Sequence, residues 1–172
     1  MDNIIINKIK RAIGQLYVQI GIKNIGDAIS DFTDTQGDYA RFCKPISWLP
    51  VSQLDEKYYF TSLENWQKII DTINPILKCK SWLAERFDCD KRSFLVTALT
   101  ALLFETNTVR PIWCEVYSVN DGSHKYSHYA NVFVDDNNNA YLWDADNQGQ
   151  FTKITSNTVI IGSLKYKLIS VR

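Results

Sequence analysis

The chain has 172 residues, of which 45% are hydrophobic and 22% are charged. That length allows one domain with a sizeable core and is short for two, and the composition is that of a globular protein, not a disordered one. Lys and Arg together number 19, as do Asp and Glu, so the balanced charge gives no electrostatic sign of nucleic-acid or anionic-membrane binding.

Two features of the sequence bear on where the protein works. Residues 1–3 lack the basic patch and long apolar run of a secretory signal. No stretch reaches the roughly 18 consecutive apolar residues of a membrane span. We therefore expect a cytoplasmic protein without a membrane partner, or a virion-associated one if a phage encodes it.

The four cysteines are predicted to be free thiols, because a chain without a secretory signal folds in a reducing compartment. The sequence has no Cys-x-x-Cys pair and only two histidines, which argues against a structural zinc site. Cys43, Cys79 and Cys114 are therefore interpreted as small buried side chains. Cys89 stands in a different context.

The first half of the chain shows mainly helical patterns. Apolar residues near helical spacing predict a helix over 4–21, and residues 27–50, rich in turn formers, are expected to be irregular. Thr61-Ser62-Leu63-Glu64 matches a capping box that starts a helix. We expect this helix to be interrupted near Pro75 and followed by a short helix over 76–85.

Residues 94–104 are apolar on nearly every side. A helix of that composition is expected at the centre of a domain, nearly inaccessible to solvent and packed on a sheet. Asp88 or Asp90 is well placed to cap its start.

The second half of the chain shows strand patterns. Strands are predicted over residues 111–119, 127–134, 140–144, 158–161 and 166–171, with a turn at 135–139. Helices followed by an antiparallel sheet define an α+β fold. We predict a single domain over 1–172, composed of an N-terminal helix and irregular region over 1–60, a helical part over 61–106 and the antiparallel sheet over 110–172.

Cys89 is the residue of greatest chemical interest. It lies between two acidic residues at the predicted start of the apolar helix. The helix dipole stabilises a thiolate there, whereas the neighbouring acids oppose it. A buried, inert thiol is an equally good interpretation of this position taken alone.

Two later residues complete a possible catalytic set. His128 opens a predicted strand, and a histidine beside a thiol can hold it as a thiolate and transfer its proton. His124, in a predicted turn, is the exposed competitor. Asp144 ends the next strand, where a hairpin would bring it beside His128 to fix the imidazole tautomer; Asp146 and Asn147 are reserve candidates. Cysteine, histidine and acid in this order form the papain-like arrangement.

Three segments resemble known enzymes. Trp82, followed by Phe87-Asp88-Cys89-Asp90 and Phe94, resembles the nucleophile motif of papain-like and transglutaminase-like cysteine peptidases. His128-Tyr129-Ala130-Asn131-Val132 resembles their histidine strand, and Leu142-Trp143-Asp144 resembles the strand that carries their acidic residue. Members of this kind occur in bacteria, in phages and as the protease domain of some fungal lectins. The resemblance covers roughly the middle half of the chain.

The resemblance implies a papain-like fold and a thiol-dependent hydrolase or acyl transferase that acts on an amide bond, with Cys89, His128 and Asp144 as its triad. A protein or peptide substrate is implied, and neither a metal nor an organic cofactor is needed. The chain departs from the family pattern at Lys91-Arg92-Ser93, where an acid, an aromatic and a small residue are usual. No side chain matches the glutamine that serves the oxyanion in papain, although the Cys89 backbone N–H can supply one donor.

The alternative is a non-enzymatic protein on the same scaffold. A fold does not imply its activity, and the departure in the nucleophile motif is compatible with lost activity. On this interpretation the chain is a phage or bacterial structural or host-interaction protein, and its high aromatic content serves a protein-binding surface.

Overall fold

The computed structural model describes residues 35–51, 56–78, 88–146 and 150–172. Over this part of the chain the longer helices come first and most strands follow, which confirms the predicted α+β character. None of the described helices is long and apolar enough to cross a membrane. The helix expected over 4–21 and Cys79 lie outside the described residues.

Two long helices and several short elements precede the main sheet. They are β1 (Thr35–Gly37), α1 (Tyr39–Cys43), a 3-10 turn (Lys44–Ile46), β2 (Tyr58–Phe60), α2 (Leu63–Lys78) and α3 (Cys89–Phe104). β1 and β2 form a separate antiparallel pair. The expectation of an irregular segment over 27–50 was therefore wrong for β1 and α1. The N-cap of α1 is Asp38, whose carboxylate accepts the Arg41 backbone N–H at 2.8 Å, and this local cap favours a helix within the turn-rich segment.

The main sheet has six antiparallel strands in the order β6-β5-β4-β3-β8-β7. Their bounds are β3 (Val109–Ser118), β4 (His124–Val134), β5 (Ala140–Trp143), β6 (Phe151–Lys153), β7 (Thr158–Ile161) and β8 (Leu164–Val171). The edge strands β6 and β7 approach each other, which curls the sheet towards a barrel. All five predicted strands are present. β6 was not predicted, because a segment that short shows no clear period.

Each face of the main sheet covers a core. One face, closed by α1 and β2, encloses a cluster that includes Phe42, Tyr58 and Val132. The other face is covered by α2 and α3, with Trp66 and Phe133 near its centre. Successive residues of a strand point to opposite faces, so β4 contributes side chains to both cores.

Helix α2 corrects two expectations. Its capping hydroxyl belongs to Ser62, which accepts the Asn65 backbone N–H at 3.2 Å, whereas the hydroxyl of Thr61 accepts from the Asn65 side chain. Pro75 lies inside the helix, which does not break there. A proline removes one backbone hydrogen bond, and the apolar face that α2 buries on both sides of it keeps the helix continuous. The short helix expected over 76–85 therefore has its first residues in α2.

Helix α3 is present where it was predicted, but it is not buried on every side. Val96 and Leu99 pack into the core between the helices and the sheet. Phe94, by contrast, is 52% exposed and Leu102 is 44% exposed. The expectation of a nearly inaccessible helix was therefore wrong, because apolar composition does not reveal which sides of a helix find a partner.

Candidate active site

Cys89 is the first residue of α3 and is half-buried. Its thiol lies near the imidazole of His128 and the backbone N–H of Tyr129. Hydrogen bonding with His128 lowers the pKa of Cys89, burial opposes that shift, and the Tyr129 N–H adds to it. Asp88 occupies the N-cap position without a capping bond, and its carboxylate pairs instead with the Lys91 Nζ atom at 3.0 Å.

His128 lies in β4 and is buried. Its Nε2 atom is hydrogen-bonded to the Oδ1 atom of Asp144 at 3.1 Å, which leaves Nδ1 for the thiol of Cys89. Burial by itself favours the neutral imidazole, but the bonds to Asp144 and Cys89 raise the pKa of His128 to about 10. Together, the lowered pKa of the thiol and the raised pKa of the imidazole favour a thiolate–imidazolium pair.

Asp144 directly follows β5 and is buried. Its carboxylate contacts three donors: His128 Nε2, the Asp146 backbone N–H at 2.9 Å and the Tyr166 hydroxyl at 2.6 Å. Burial opposes ionisation of Asp144, but these donors lower its pKa below the ordinary value. Both carboxylate oxygens are thereby fixed, and Asp144 can hold the His128 ring in one orientation.

The register of two strands brings the histidine and the acid together. β5 pairs with β4 only as far as Asn131, which lies opposite Trp143. Asp144 therefore emerges beside the part of β4 that carries His128, as predicted from the hairpin. The edge of β4 next to Tyr129 lies beyond the end of β5, and the start of α3 reaches it there.

Two polar side chains fasten α3 to β4. Ser93 donates its hydroxyl to the Ala130 carbonyl at 2.7 Å, and Asn131 donates its side-chain amide to the Ser93 carbonyl at 3.0 Å. Ser93 lies one helical turn after Cys89, and Ala130 shares a strand face with His128. These bonds therefore fix the position of the Cys89 thiol along β4, the strand that carries His128.

Asp146 has a different partner from Asp144. Its Oδ1 atom forms an ion pair with the Arg92 Nε atom at 2.6 Å, so Asp146 is not the acid bonded to the histidine. Arg92 and Ser93 belong to the segment that departs from the family pattern. Arg92 pairs with Asp146, and Ser93 bonds to the backbone of β4. Asn147, the other reserve candidate, lies outside the described residues.

Aromatic rings flank the thiol and the imidazole on their solvent side. Tyr126 is exposed, and its ring meets the ring of His128 edge-on with centroids 5.8 Å apart. Phe94 of α3 is paired with Tyr129 at 6.3 Å, and the Tyr129 backbone contacts Cys89. Aromatic surface therefore borders the thiol and the imidazole.

Three contributors to this site were not predicted from the sequence. Tyr126 could have been found, because every second residue of a strand shares a face and it lies two residues before His128. Arg92 could have been suspected, because residues three apart on a helix are neighbours. Nothing in the sequence near Tyr166 indicates its contact with Asp144, since that contact depends on how β8 joins the sheet.

The remaining candidate residues lie apart from this chemistry or support it indirectly. His124 is the first residue of β4 and not part of a turn; it is exposed, as expected, and bonds to Glu115. Cys43, Cys89 and Cys114 are free thiols. Cys114 is buried opposite His128 in β3, and burial raises its pKa, so its thiol is not a competing nucleophile.

One group of three potential metal-binding side chains occurs in the described part of the chain: His128, Asp144 and Asp146. Each donor already has a protein partner, since His128 Nε2 bonds Asp144 and the carboxylate of Asp146 pairs with Arg92. A cation would have to displace these contacts. The arrangement fits a hydrogen-bonded histidine–acid pair rather than a set of ligands.

The chemistry available to Cys89, His128 and Asp144 is nucleophilic. A thiol beside an imidazole that is itself oriented by a carboxylate can attack a carbonyl carbon, and the imidazole can then transfer a proton to the leaving group. No protein-family model matches the sequence, and a search of curated proteins found no match either.

Proposed function

We propose that the protein is a thiol-dependent hydrolase or acyl transferase with a papain-like fold, and that it acts on an amide bond of a protein or peptide. One observation carries the proposal: the buried imidazole of His128 is hydrogen-bonded through Nε2 to the Asp144 carboxylate and lies near the Cys89 thiol, whose pKa it lowers. Such a series activates a cysteine nucleophile. The motifs around Cys89, His128 and Asp144 that resemble cysteine peptidases support the same conclusion.

The first half of the reaction forms a thioester. The Cys89 thiolate attacks the carbonyl carbon, a C–S bond forms, and the carbonyl electron pair moves to oxygen. The Cys89 backbone N–H is one of the first helical N–H groups, which have no acceptor within the helix, and it can donate to that oxyanion. The C–N bond then breaks, and the leaving amine takes the proton of the His128 imidazolium.

The second half restores the enzyme. His128, now neutral, accepts a proton from water or from an acceptor amine as that nucleophile attacks the thioester carbon. The C–S bond breaks, the acid or the new amide departs, and the thiolate–imidazolium pair returns. Asp144 remains ionised throughout and keeps the ring aligned, and each proposed step uses only these side chains, a backbone N–H and water or an amine.

A structural or host-interaction protein on the same scaffold is the second candidate. It is favoured by the exposed apolar side chains on α3, Phe94 and Leu102, because apolar surface of this kind often marks a contact with another protein. On this alternative the thiol of Cys89 has no chemical role, and its contact with His128 is a remnant of an enzyme.

Alkylation of the native protein tests the proposal. Iodoacetamide reacts with the thiolate, so a thiol with a lowered pKa reacts at about pH 6, where ordinary thiols are almost inert. We expect Cys89 to be modified first, with the site identified by peptide mass spectrometry. Replacing His128 with Asn should slow that modification about tenfold or more, because the imidazolium that stabilises the thiolate is gone.

Cys43 is the control within the same molecule. It is also half-buried, but burial raises its pKa, so it should remain unmodified at about pH 6. Equal modification of Cys43 and Cys89, or an unreactive Cys89, would favour the non-enzymatic alternative. Hydrolysis of a peptide amide that survives in Cys89→Ala would exclude the proposed mechanism.

A further inference from the structure

Arg92 lies on the same helix as the nucleophile and makes a short, largely buried ion pair. Its Nε atom is 2.6 Å from the Oδ1 atom of Asp146, and the side chains are 8% and 25% exposed. A second guanidinium nitrogen donates to the Leu77 carbonyl at the end of α2, at 3.4 Å. The guanidinium thus joins α2, α3 and the segment after β5.

The ion pair closes a ring of contacts through the catalytic residues. The Asp146 backbone N–H donates to Asp144, Asp144 accepts from His128, and His128 contacts Cys89. Cys89 and Arg92 are three residues apart, so they occupy one turn of α3. Asp144 and Cys89 are therefore connected by two routes. One runs directly through the imidazole of His128, and the other runs through Asp146 and Arg92.

The ion pair also controls the charge beside the thiol. The carboxylate of Asp146 is close enough for its negative charge to oppose the Cys89 thiolate. Among the residues that the structure describes, the other groups with an effect on the thiol are His128, which favours the thiolate, and Tyr126, a neutral phenol whose pKa burial raises. Burial raises the pKa of Asp146, and the positive charge of Arg92 opposes that shift and so favours the carboxylate.

We propose that Arg92 is a positioning residue of the site: its ion pair with Asp146 holds the acid-bearing segment after β5 against α3 and neutralises the negative charge that Asp146 presents to the nucleophile. The inference rests on the proposed function, since a positioning residue needs a reaction to serve. It gives a role to Arg92, which stands where the family pattern has an aromatic residue. A family-like aromatic residue at position 92 would leave Asp146 without this partner.

A set of four variants separates this role from simple structural support. Arg92→Met removes the charge and keeps much of the apolar stem, so the midpoint of the pH profile for Cys89 alkylation should rise by about one unit, which is about tenfold in rate below the midpoint. Asp146→Asn should move the midpoint downwards. The double variant should return it close to the parent value, because the opposing charge is removed with its partner. Arg92→Lys should restore most of the parent profile.

Lys91→Met is the matched control. It makes the same change of charge at the neighbouring position, on a side chain that pairs with Asp88 and Asp90, and its profile should stay within about 0.3 pH units of the parent. If Arg92 only supports the structure, Arg92→Met should lower the thermal transition without moving the pH midpoint of Cys89 alkylation. The double variant should then have a midpoint no closer to the parent value than that of Arg92→Met. Either result overturns the proposal.

Two measurements keep the test decisive. If Arg92→Met does not fold, Asp146→Asn at the more exposed partner decides: a lower midpoint supports the proposal, and an unchanged or higher midpoint overturns it. The profile is recorded up to alkaline pH, where any accessible thiol reacts. An unreactive Cys89 at mildly acidic pH in the parent refutes the proposed function, whereas identical profiles in all variants refute only the role of Arg92.

Discussion

At the scale of single residues, the environment of Asp144 decides whether the site can work. Its Oδ2 atom accepts the Tyr166 hydroxyl at 2.6 Å, and its Oδ1 atom accepts from His128 and from the backbone of Asp146. A buried carboxylate with all these donors stays ionised and cannot rotate. The tyrosine therefore helps to lower the pKa of Asp144, after the larger effect of the histidine.

Replacing Tyr166 with Phe should weaken both the fold and the site. The ring remains, but the carboxylate of Asp144 loses one donor, and loss of a hydrogen bond to a charged group costs about 1–3 kcal/mol of unfolding free energy. With one donor fewer, the pKa of Asp144 rises. The pH at which the rate of Cys89 alkylation falls on the acid side of its profile should therefore move upwards. Urea unfolding and the alkylation profile measure the two effects.

Tyr141→Phe provides the comparison. This tyrosine also donates to a buried carboxylate, the Oδ2 atom of Asp135 at 3.2 Å, but that pair is not connected to Cys89. A loss of stability comparable to that of Tyr166→Phe with an unshifted alkylation profile is expected. An identical shift in both variants would mean that the profile reports general loosening of the protein.

At the scale of elements, α3 has one face in the core and one face in solvent. Val96 and Leu99 pack between the helix and the sheet, whereas Phe94 and Leu102 are exposed. The helix must be docked firmly all the same, because its first residue is the proposed nucleophile. Ser93 and its hydrogen bond to the Ala130 carbonyl supply a polar anchor on the docked side.

Two leucines of α3 test this orientation with identical chemistry. Leu99 is 6% exposed and Leu102 is 44% exposed. Leu99→Ala should lower the free energy of unfolding by about 2–5 kcal/mol, because it leaves a cavity in the core. Leu102→Ala should change it by less than about 1 kcal/mol. Urea denaturation measures both, and equal losses would show that the exposed face is covered in solution.

At the scale of the whole molecule, the buried pair of Asp144 and His128 links folding to pH. The pKa of Asp144 is lowered from 3.8, so its contribution to stability is complete above pH 3.8 and is lost as the pH falls through the folded value. The pKa of His128 is raised from 6.5 to about 10, so its contribution is complete below pH 6.5 and is lost as the pH rises towards 10.

Stability should therefore be greatest between these two limits and fall on both sides. The measurement is the urea midpoint across the pH range in Cys89→Ala, because the thiolate makes an opposite contribution that grows as the pH rises towards 9.0. Adding His128→Asn should flatten the alkaline side and leave a shallower acid side. An alkaline decline of the same size in both proteins would assign it to other groups.

The order of elements and of chemical groups was set by the sequence alone. Strand-forming residues and turn signals identified five of the six strands of the main sheet, and a long apolar run identified the region of α3, because such signals lie within one element. The cysteine at a helix start, the histidine in one strand and the acid at the end of the next are recognisable from the order of residues along the chain. These features depend on neighbours within one element or one hairpin.

Only the tertiary structure decided which groups meet. It assigned Asp144 to His128 and Asp146 to Arg92, brought Tyr166 to the carboxylate from a distant strand, and left one face of α3 in solvent. The physical reason is that a local pattern indicates that a side chain is buried but does not indicate which residues it packs against. Partners follow from strand register and helix docking, which are set by contacts between residues far apart in the chain.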